Sequence, residues 1–361
     1  MAGGGPAGLA AAIAARQAGF RVMVADGATP PIDKACGEAL LPDALAAIEQ
    51  LGVTIPSGDG SPIHGVRFLA GALSAQAAFP GNVRGLSLRR IALHHLMIDR
   101  AMELGVNLRW QTSVQGIAGD EVWLGGRTVR ARWIVGADGL NSRVRRWARI
   151  GDRSPKRTRY AFRRHYRVAP WSDCMEIHWS GRSQAYTTAV NGQEVCVAVA
   201  SRDPRLRMDE ALADFPGLRL RLRGAEMTSA ERGGVTSNFK LRRVWRGNVA
   251  LIGDASGTVD AITGEGLGQC FGQALALAQA FAQGDLDKYQ RAHHRLSARP
   301  RWMARLMLTL ESRPRLQRRT LKAFQRHPEI FSRLLALHVG SVSPKNLAAD
   351  GLALGWDLLT A

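Results

Sequence analysis

The chain has 361 residues, 46% of them apolar and 22% charged, with a formal net charge of +19 at pH 7. That is enough apolar material for one large or two ordinary domains with a proper core, and it excludes a disordered tail. No apolar run reaches the ~18 residues of a membrane span. Four cysteines (Cys36, Cys174, Cys196, Cys270) without pairing or CxxC spacing exclude a disulfide scaffold and a zinc ribbon and suit a reducing compartment. The Ala-rich start lacks the basic region of a signal peptide. Of the 49 basic residues 43 are arginine, and the excess is concentrated: residues 142–167 and 291–333 each carry a net +10. Such segments attract nucleic acid, an anionic membrane or anionic cofactors without choosing among them.

The chain opens Gly3-Gly4-Gly5-Pro6-Ala7-Gly8, a GxGxxG, followed by an Ala-rich helical run to Gln17 and a short apolar strand, Phe20 to Ala25, closing on Asp26. Glycine loop, helix, strand and acid in register form a dinucleotide fingerprint. The glycines allow a tight turn and close approach to a pyrophosphate, the helix N-terminus receives its charge, and the acid holds a ribose hydroxyl. The fingerprint normally follows a buried strand, and here only Met1-Ala2 precede Gly3. Either the start codon is set too late or another segment fills the slot; the misplaced start is the favoured expectation.

Two more strand ends follow downstream. Trp133-Ile134-Val135-Gly136-Ala137-Asp138-Gly139 ends in Asp-Gly, and Val249-Ala250-Leu251-Ile252-Gly253-Asp254 ends in Gly-Asp. The second runs through Thr263-Gly264-Glu265-Gly266-Leu267 into a helix predicted over 268–283. Each places a carboxylate at the C-terminal edge of a parallel strand, where α/β sheets bind ligands.

At these residues, from Gly3 to about Gln283, the sequence resembles the FAD-dependent oxidoreductases of the aromatic-hydroxylase superfamily. That group includes flavin monooxygenases, flavin halogenases and geranylgeranyl reductases. The resemblance implies an α/β fold: a Rossmann-like FAD-binding domain with a three-layer parallel sheet, an inserted antiparallel β-sheet substrate domain, and C-terminal helices. The implied parts are 1–60, 85–155 and 240–285 for FAD, 61–84 and 156–239 for the substrate sheet, and 286–361 for the helices. It further implies that Gly3, Gly5, Pro6, Ala7 and Gly8 line the pyrophosphate and Asp26 the ribose. Arg90 is expected to reach the phosphates or ribityl, and Asp254, beside Gly253, to bond the ribityl chain. Asp138 and Gly139 match a motif shared by FAD and NAD(P)H binding, and Val114, Lys34, Cys36 and Gly37 join the expected cofactor contacts. The loop Gly264, Glu265, Gly266, Leu267 offers backbone N–H groups to the flavin. NAD(P)H is expected as a transient reductant over Asp138-Gly139 and Arg143, Arg145 and Arg146.

Lys34-Ala35-Cys36-Gly37-Glu38 is similar to a stretch of the reductase and halogenase-like branch, which implies Cys36 beside the flavin and Glu38 as a proton donor. The W-x-W-x-I-P segment of tryptophan halogenases is absent, and Ala261 replaces the usual proline before the flavin loop. No metal-ligand spacing appears, so His64, His94 and His95 take structural or surface roles.

Between and after these motifs, period-two stretches such as Tyr160–Val168, Met175–Trp179 and Val195–Ala200 predict antiparallel strands. His178, Trp179 and Tyr186 are candidates to face a substrate cavity. The stretch 285–340 is helical in pattern, broken at Arg299-Pro300 and Arg313-Pro314. Trp302, Met303, Leu306 and Leu310 beside Arg301 and Arg305 fit either a core-packed helix with a solvated arginine face or a helix at an anionic membrane surface.

Three functions compete. The first is an NAD(P)H-dependent monooxygenase using O₂ on a small aromatic, polyketide-like or lipid-like acceptor, and it leads. The second is reduction of a polyprenyl double bond. The third is non-catalytic binding to membrane or nucleic acid, although no nucleic-acid motif is visible and no such partner is expected. The expected location is the cytoplasm, with loose attachment to the inner membrane face.

Overall fold

Backbone hydrogen bonds set the first three residues in the middle of a parallel sheet. In the computed structural model, which describes residues 1–151 and 158–342, Ala2 bridges Ala25 on one side and Gly136 on the other. The bonds run from Ala25 N to Met1 O, Gly3 N to Ala25 O, Ala2 N to Val135 O and Ala137 N to Ala2 O, at 2.8–2.9 Å. Met23–Ala25 pairs outward with Asn107–Arg109, and Ile134–Gly136 with Val249–Leu251, both in parallel. The slot is therefore spanned by Met1 and Ala2, and among the described residues no segment from elsewhere takes it. That corrects the second of the two alternatives.

The helices of the described residues are α1 (Pro6–Gln17), α2 (Pro42–Gln50), α3 (Arg90–Glu103), α4 (Arg143–Trp147), α5 (Met208–Leu212), α6 (Pro216–Arg221), α7 (Gly266–Gln283), α8 (Leu286–Ser312), α9 (Pro314–Arg326) and α10 (Pro328–His338). Helices α1, α3 and α7 pack with the parallel strands in one apolar cluster built on Leu9, Ile13, Leu93, Met97, Phe271 and Leu277. Tyr289 of α8 closes it, donating its hydroxyl to the Leu251 carbonyl at 2.6 Å. Helix α7 begins two residues earlier than its apolar pattern suggested. Gly266 and Gly268 hide that first turn from a hydropathy reading.

The period-two stretches form the predicted strands. Cys174–Trp179, Ser183–Asn191, Glu194–Ser201 and Thr158–Arg167 lie side by side and antiparallel, and Arg232–Ser237 pairs with the last. Gly65–Ala70 and Leu73–Ala78 extend the other edge, where Gly65–Ala70 runs parallel to Cys174–Trp179. Alternation then splits the side chains. Phe68, Met175, Ile177 and Trp179 face α8, α9 and α10, whereas Val195, Val197 and Val199 face α5 and α6.

The C-terminal helices depart from expectation in two ways. Pro300 does not break α8, which continues to Ser312. An internal proline costs ~3 kcal/mol in an exposed helix, but here Pro300, Met303 and Met307 are all buried, and that packing offsets the lost backbone bond. Met303 and Leu310 face this core, not an outer surface; of the apolar residues named for a membrane face only Trp302 is exposed, at 48%. The C-terminal residues 343–361 and the expected boundary near 155 lie outside the described residues.

One buried guanidinium ties the sheet to α8. Arg159 is 4% exposed, donating to Asp260 at 2.9 Å, Glu311 at 2.7 Å and Gln184 at 3.1 Å. Removing it strands two carboxylates in a poor solvent for charge. Arg159→Ala is expected to destabilise the fold by about 3–5 kcal/mol, read from urea unfolding.

Candidate cofactor cleft and the loop beneath it

A cleft of about 310 Å³ opens at the C-terminal edge of the parallel sheet, walled by Gly3, Gly5, Asp26, Lys34, Val114 and Asp138 among others. The glycines divide the labour. Gly3 has φ +112°, a region L side chains avoid. A Cβ on Gly8 would collide with the Gly3 carbonyl, so Gly8 lets α1 sit tight under the loop. A Cβ on Gly5 would meet nothing within 4 Å and would stand in the cleft itself. Gly8 and Pro6, expected on the pyrophosphate, are buried behind it, and Ala7 packs toward Gly253. The turn that aims the α1 N-terminus at the cleft also covers these residues.

Asp26 accepts from Gly4 N at 2.6 Å and Ala28 N at 2.8 Å, which fixes its carboxylate at the rim. Asp138 accepts from Arg143 N and Val144 N in the first turn of α4 through Oδ2, while its Oδ1 is buried without a partner among the described residues. Lys34 approaches Gly139 across the cleft. Desolvation pushes the Asp254 carboxyl up from the ordinary range, against the pull of Lys34 and Arg90, so these three charges converge. Arg90 is the first residue of α3, and its Nε also lacks a partner. A helix N-terminus, two cations, an orphaned carboxylate oxygen and an open glycine fit a dinucleotide: anionic in the middle, with hydroxyls on each side. Of the arginines expected at NAD(P)H, Arg143 lines this cleft and Arg146 is exposed. Arg145 is buried and spent on the carbonyls of Ala255 and Leu140, so it is withdrawn from that role.

The Asp254 turn is held from below. Gly253 N donates to Gln273, and Ser256 bonds His293 Nε2 at 2.9 Å. At the far end Gly264 adopts φ +69°, and Cβ atoms on Gly264 or Gly266 would meet nothing, leaving that backbone open. Leu267 is half-buried. Glu265, whose backbone is the part expected at the cofactor, turns its side chain inward to 3% exposure, toward Arg299 and His338. A residue at the N-cap between two glycines has its side chain directed by the helix start, and here that direction is the protein interior.

Cys36 is half-buried, its sulfur accepting from Glu38 N at 3.3 Å. Burial pushes the thiol up, Arg90 pulls it down and Glu38 pushes it up again, with a net rise. Gly37 offers its carbonyl to Thr188 at 3.1 Å. Glu38 does not stand free as a proton donor. It is 2% exposed with φ +60°, and its carboxylate is taken by His165 Nε2 at 2.6 Å and Arg90 N at 3.1 Å. His165 Nδ1 faces donors from Arg89, Arg163 and Ser229, so Nε2 carries the hydrogen that Glu38 accepts. Arg163 also pairs with Asp33. Glu38 is thus a brace joining the Cys36 loop, the start of α3 and the sheet. Cys196 lies beside Glu38 and His165, a set with metal-ligand spacing, but the two guanidiniums on the imidazole oppose a cation there.

Of the three cavity candidates, Trp179 lines an apolar cavity and stacks on Phe68 at 4.6 Å. His178 faces the other side, against Glu176 and Phe215, and Tyr186 bonds Gln184 at 2.9 Å. Sequence reasoning missed His165, His293, Arg299 and His338. Only His165 left a signal: period two places it on one face with Arg163 and Arg167, an odd row for a buried sheet.

The FAD binding domain family matches residues 1–205. The chain belongs to that family. It is similar to the menaquinone reductase of Mycolicibacterium smegmatis, 26% identical over 81% of this chain and 78% of that one. It is also similar to digeranylgeranylglycerophospholipid reductase 1 of Methanopyrus kandleri, 26% identical over 74% and 75%. A flavoprotein/dehydrogenase from Cytophaga hutchinsonii shares the fold, with a TM-score of 0.78 and 18% identity over 95% and 93% of the two chains. The protein is an FAD-dependent oxidoreductase, an enzyme with the α/β fold of this family.

Two outcomes test the cleft. Gly5→Val should lower FAD retention at least about tenfold, or ~1.4 kcal/mol, with unfolding little changed, whereas Gly8→Val should lose the fold itself. Absorbance at ~450 nm beside a melting curve reads both, and full flavin content in Gly5→Val would refute the placement. The second concerns acid. Burial holds His293 down at about 3, so the folded state binds fewer protons than the unfolded below pH ~6.5. Its contribution is complete above that pH and is lost as pH falls toward 3. FAD release on acidification should start below pH ~6.5 and be blunted in His293→Gln, as followed by flavin fluorescence.

Proposed function

We propose that the chain is a reductase that saturates a carbon–carbon double bond in a polyprenyl-type acceptor, with NAD(P)H as the transient reductant. The observation that carries this reading is the cavity between the large sheet and α8–α10. It measures about 70 Å³ and is walled by Val66, Phe68, Ile177, Trp179, Met307 and Phe324 among others. Ile262 and Thr263, which lead into the open loop before α7, form its floor. At ~10–15 Å³ per water-sized occupant, it holds a fragment of isoprene size. Along most of these walls a phenolic hydroxyl would find no partner, at a cost of about 1–3 kcal/mol; Trp179, Thr263 and His338 are the polar exceptions. A hydrocarbon chain loses nothing there. Two relatives named as reductases, one for a digeranylgeranyl lipid, support the same choice.

Bound FAD would supply hydride chemistry. The chain's own residues do the rest. Lys34, Arg90 and the α1 N-terminus would hold the anionic part of the cofactor, and the backbone of 264–267 would offer its N–H groups to the flavin. Cys36 holds a proton at Sγ, where burial keeps the thiol protonated, as a saturated product needs on its second carbon. Exposed Arg143 and Arg146 offer NAD(P)H a brief landing. The exposed cations Arg305, Arg313, Arg315, Arg318 and Lys322 on α8 and α9 suit an anionic membrane from which a lipid acceptor is drawn.

Anaerobic NADPH with a polyprenyl acceptor should yield a product two mass units heavier. Met307→Trp, which fills the cavity, should cut kcat/KM at least about tenfold with FAD content unchanged. A hydroxylated product with matched O₂ consumption would overturn this reading in favour of a monooxygenase.

A further inference from the structure

Behind the open loop the structure sets two carboxyl groups, one of them buried, against one guanidinium. Arg299 of α8 lies 2.6 Å from Asp43 at the head of α2 and 3.6 Å from Glu265. The Asp43 side chain is 32% exposed and takes the short contact. Glu265 is 3% exposed, and neither of its oxygens has a hydrogen-bond partner among the described residues. The half-buried Arg299 is taken at short range by the half-buried Asp43, and an ionised Glu265 in the interior behind them would be poorly compensated. Its surroundings therefore favour the protonated form of Glu265.

The arrangement of His338 from α10 agrees. Its Nε2 contacts the Thr263 carbonyl at 3.1 Å, and a carbonyl can only accept, so Nε2 bears the hydrogen. Nδ1 then presents a lone pair, has no partner of its own, and faces Glu265 Oε2 at 3.7 Å. A protonated Glu265 would turn a donor toward this lone pair across 3.7 Å, just beyond hydrogen-bond distance. The short chain of groups runs Glu265, His338, Thr263, and its last two members line the apolar cavity.

We infer that Glu265 and His338 form a proton-holding pair behind the flavin loop, and that the charge on the cofactor at the head of α7 sets when Glu265 gains or loses its proton. This rests on the reading that residues 263–267 border the flavin. Burial pushes the Glu265 carboxyl up to about 8, with Arg299 opposing and Asp43 adding to the rise, and it pushes His338 down to about 4. Asp43, Arg299, His338 and Thr263 are the groups that face Glu265 from α2, α8, α10 and its own loop. Two-electron reduction adds negative charge to the cofactor, and a nearby negative charge favours the protonated acid. Above pH ~8 the Glu265 carboxylate would then take one proton from solvent for each cofactor reduced. At lower pH it already holds that proton and takes none.

The test uses the FAD-loaded protein and the midpoint potential of its flavin, measured from pH 6 to 10 against reference dyes with dithionite as reductant. Above the Glu265 transition the wild type should show one more proton per two electrons than Glu265→Gln, and Glu265→Asp should restore the break. Infrared difference spectra of the wild type between pH 7 and 10 should show a neutral carboxylic acid converting to carboxylate, a signal absent from Glu265→Gln. Identical pH slopes in wild type and Glu265→Gln, or no such acid signal in the wild type, would overturn the pair. The wild-type spectra decide even if Glu265→Gln is poorly folded. Failure of the wild type to hold FAD would instead overturn the placement of the flavin, a separate outcome.

Discussion

The cofactor cleft depends on two residues of backbone. Met1 and Ala2 bond to strands on both sides, and without them the sheet would divide between Ala25 and Gly136. From that stub the chain turns through Gly3 and enters α1 with Pro6 at its first position, so the helix start is aimed by hydrogen bonds made before it. Asp26 and Asp138 then fall on opposite sides of the turn because they end the two strands the stub holds apart. The site is thus a property of sheet register more than of any one side chain.

A second constraint joins the sheet domain to the cleft. The loop carrying Cys36 has no regular structure of its own until Ala39, yet it is held by Glu38, Gly37 and Asp33 reaching His165, Thr188 and Arg163 on the large sheet. Glu38 tolerates a left-handed backbone because its carboxylate is fully engaged. Helix α3 starts against the same carboxylate, so the approaches of Arg90 and Cys36 are set together. Strain at one residue is offset by fixing two others.

Much of this was legible in the residues. Glycine spacing, the strand-end acids and the period-two stretches are local signals, and they specified the loop, α1, the strand ends and the sheet. What local pattern cannot show is direction. Glu265 and Glu38 sit in motifs that suggest a cofactor contact, yet both side chains point into the protein, toward Arg299 and His165, more than 30 residues away in sequence. Pro300 likewise reads as a helix break, since only tertiary burial reveals what offsets the lost hydrogen bond. Gly8 belongs to the fingerprint but serves packing, a distinction that appears only when Gly3 is seen against it.

The basic character of the surface is almost wholly arginine, with six lysines in the whole chain, and one of those, Lys34, stands exposed in the cofactor cleft. Its primary amine is a nucleophile where the guanidinium groups around it are not. An amine-selective acylating label therefore meets very few competitors on this protein, and its yield at Lys34 becomes a gauge of how much of the population carries the dinucleotide, independent of colour, turnover or redox state.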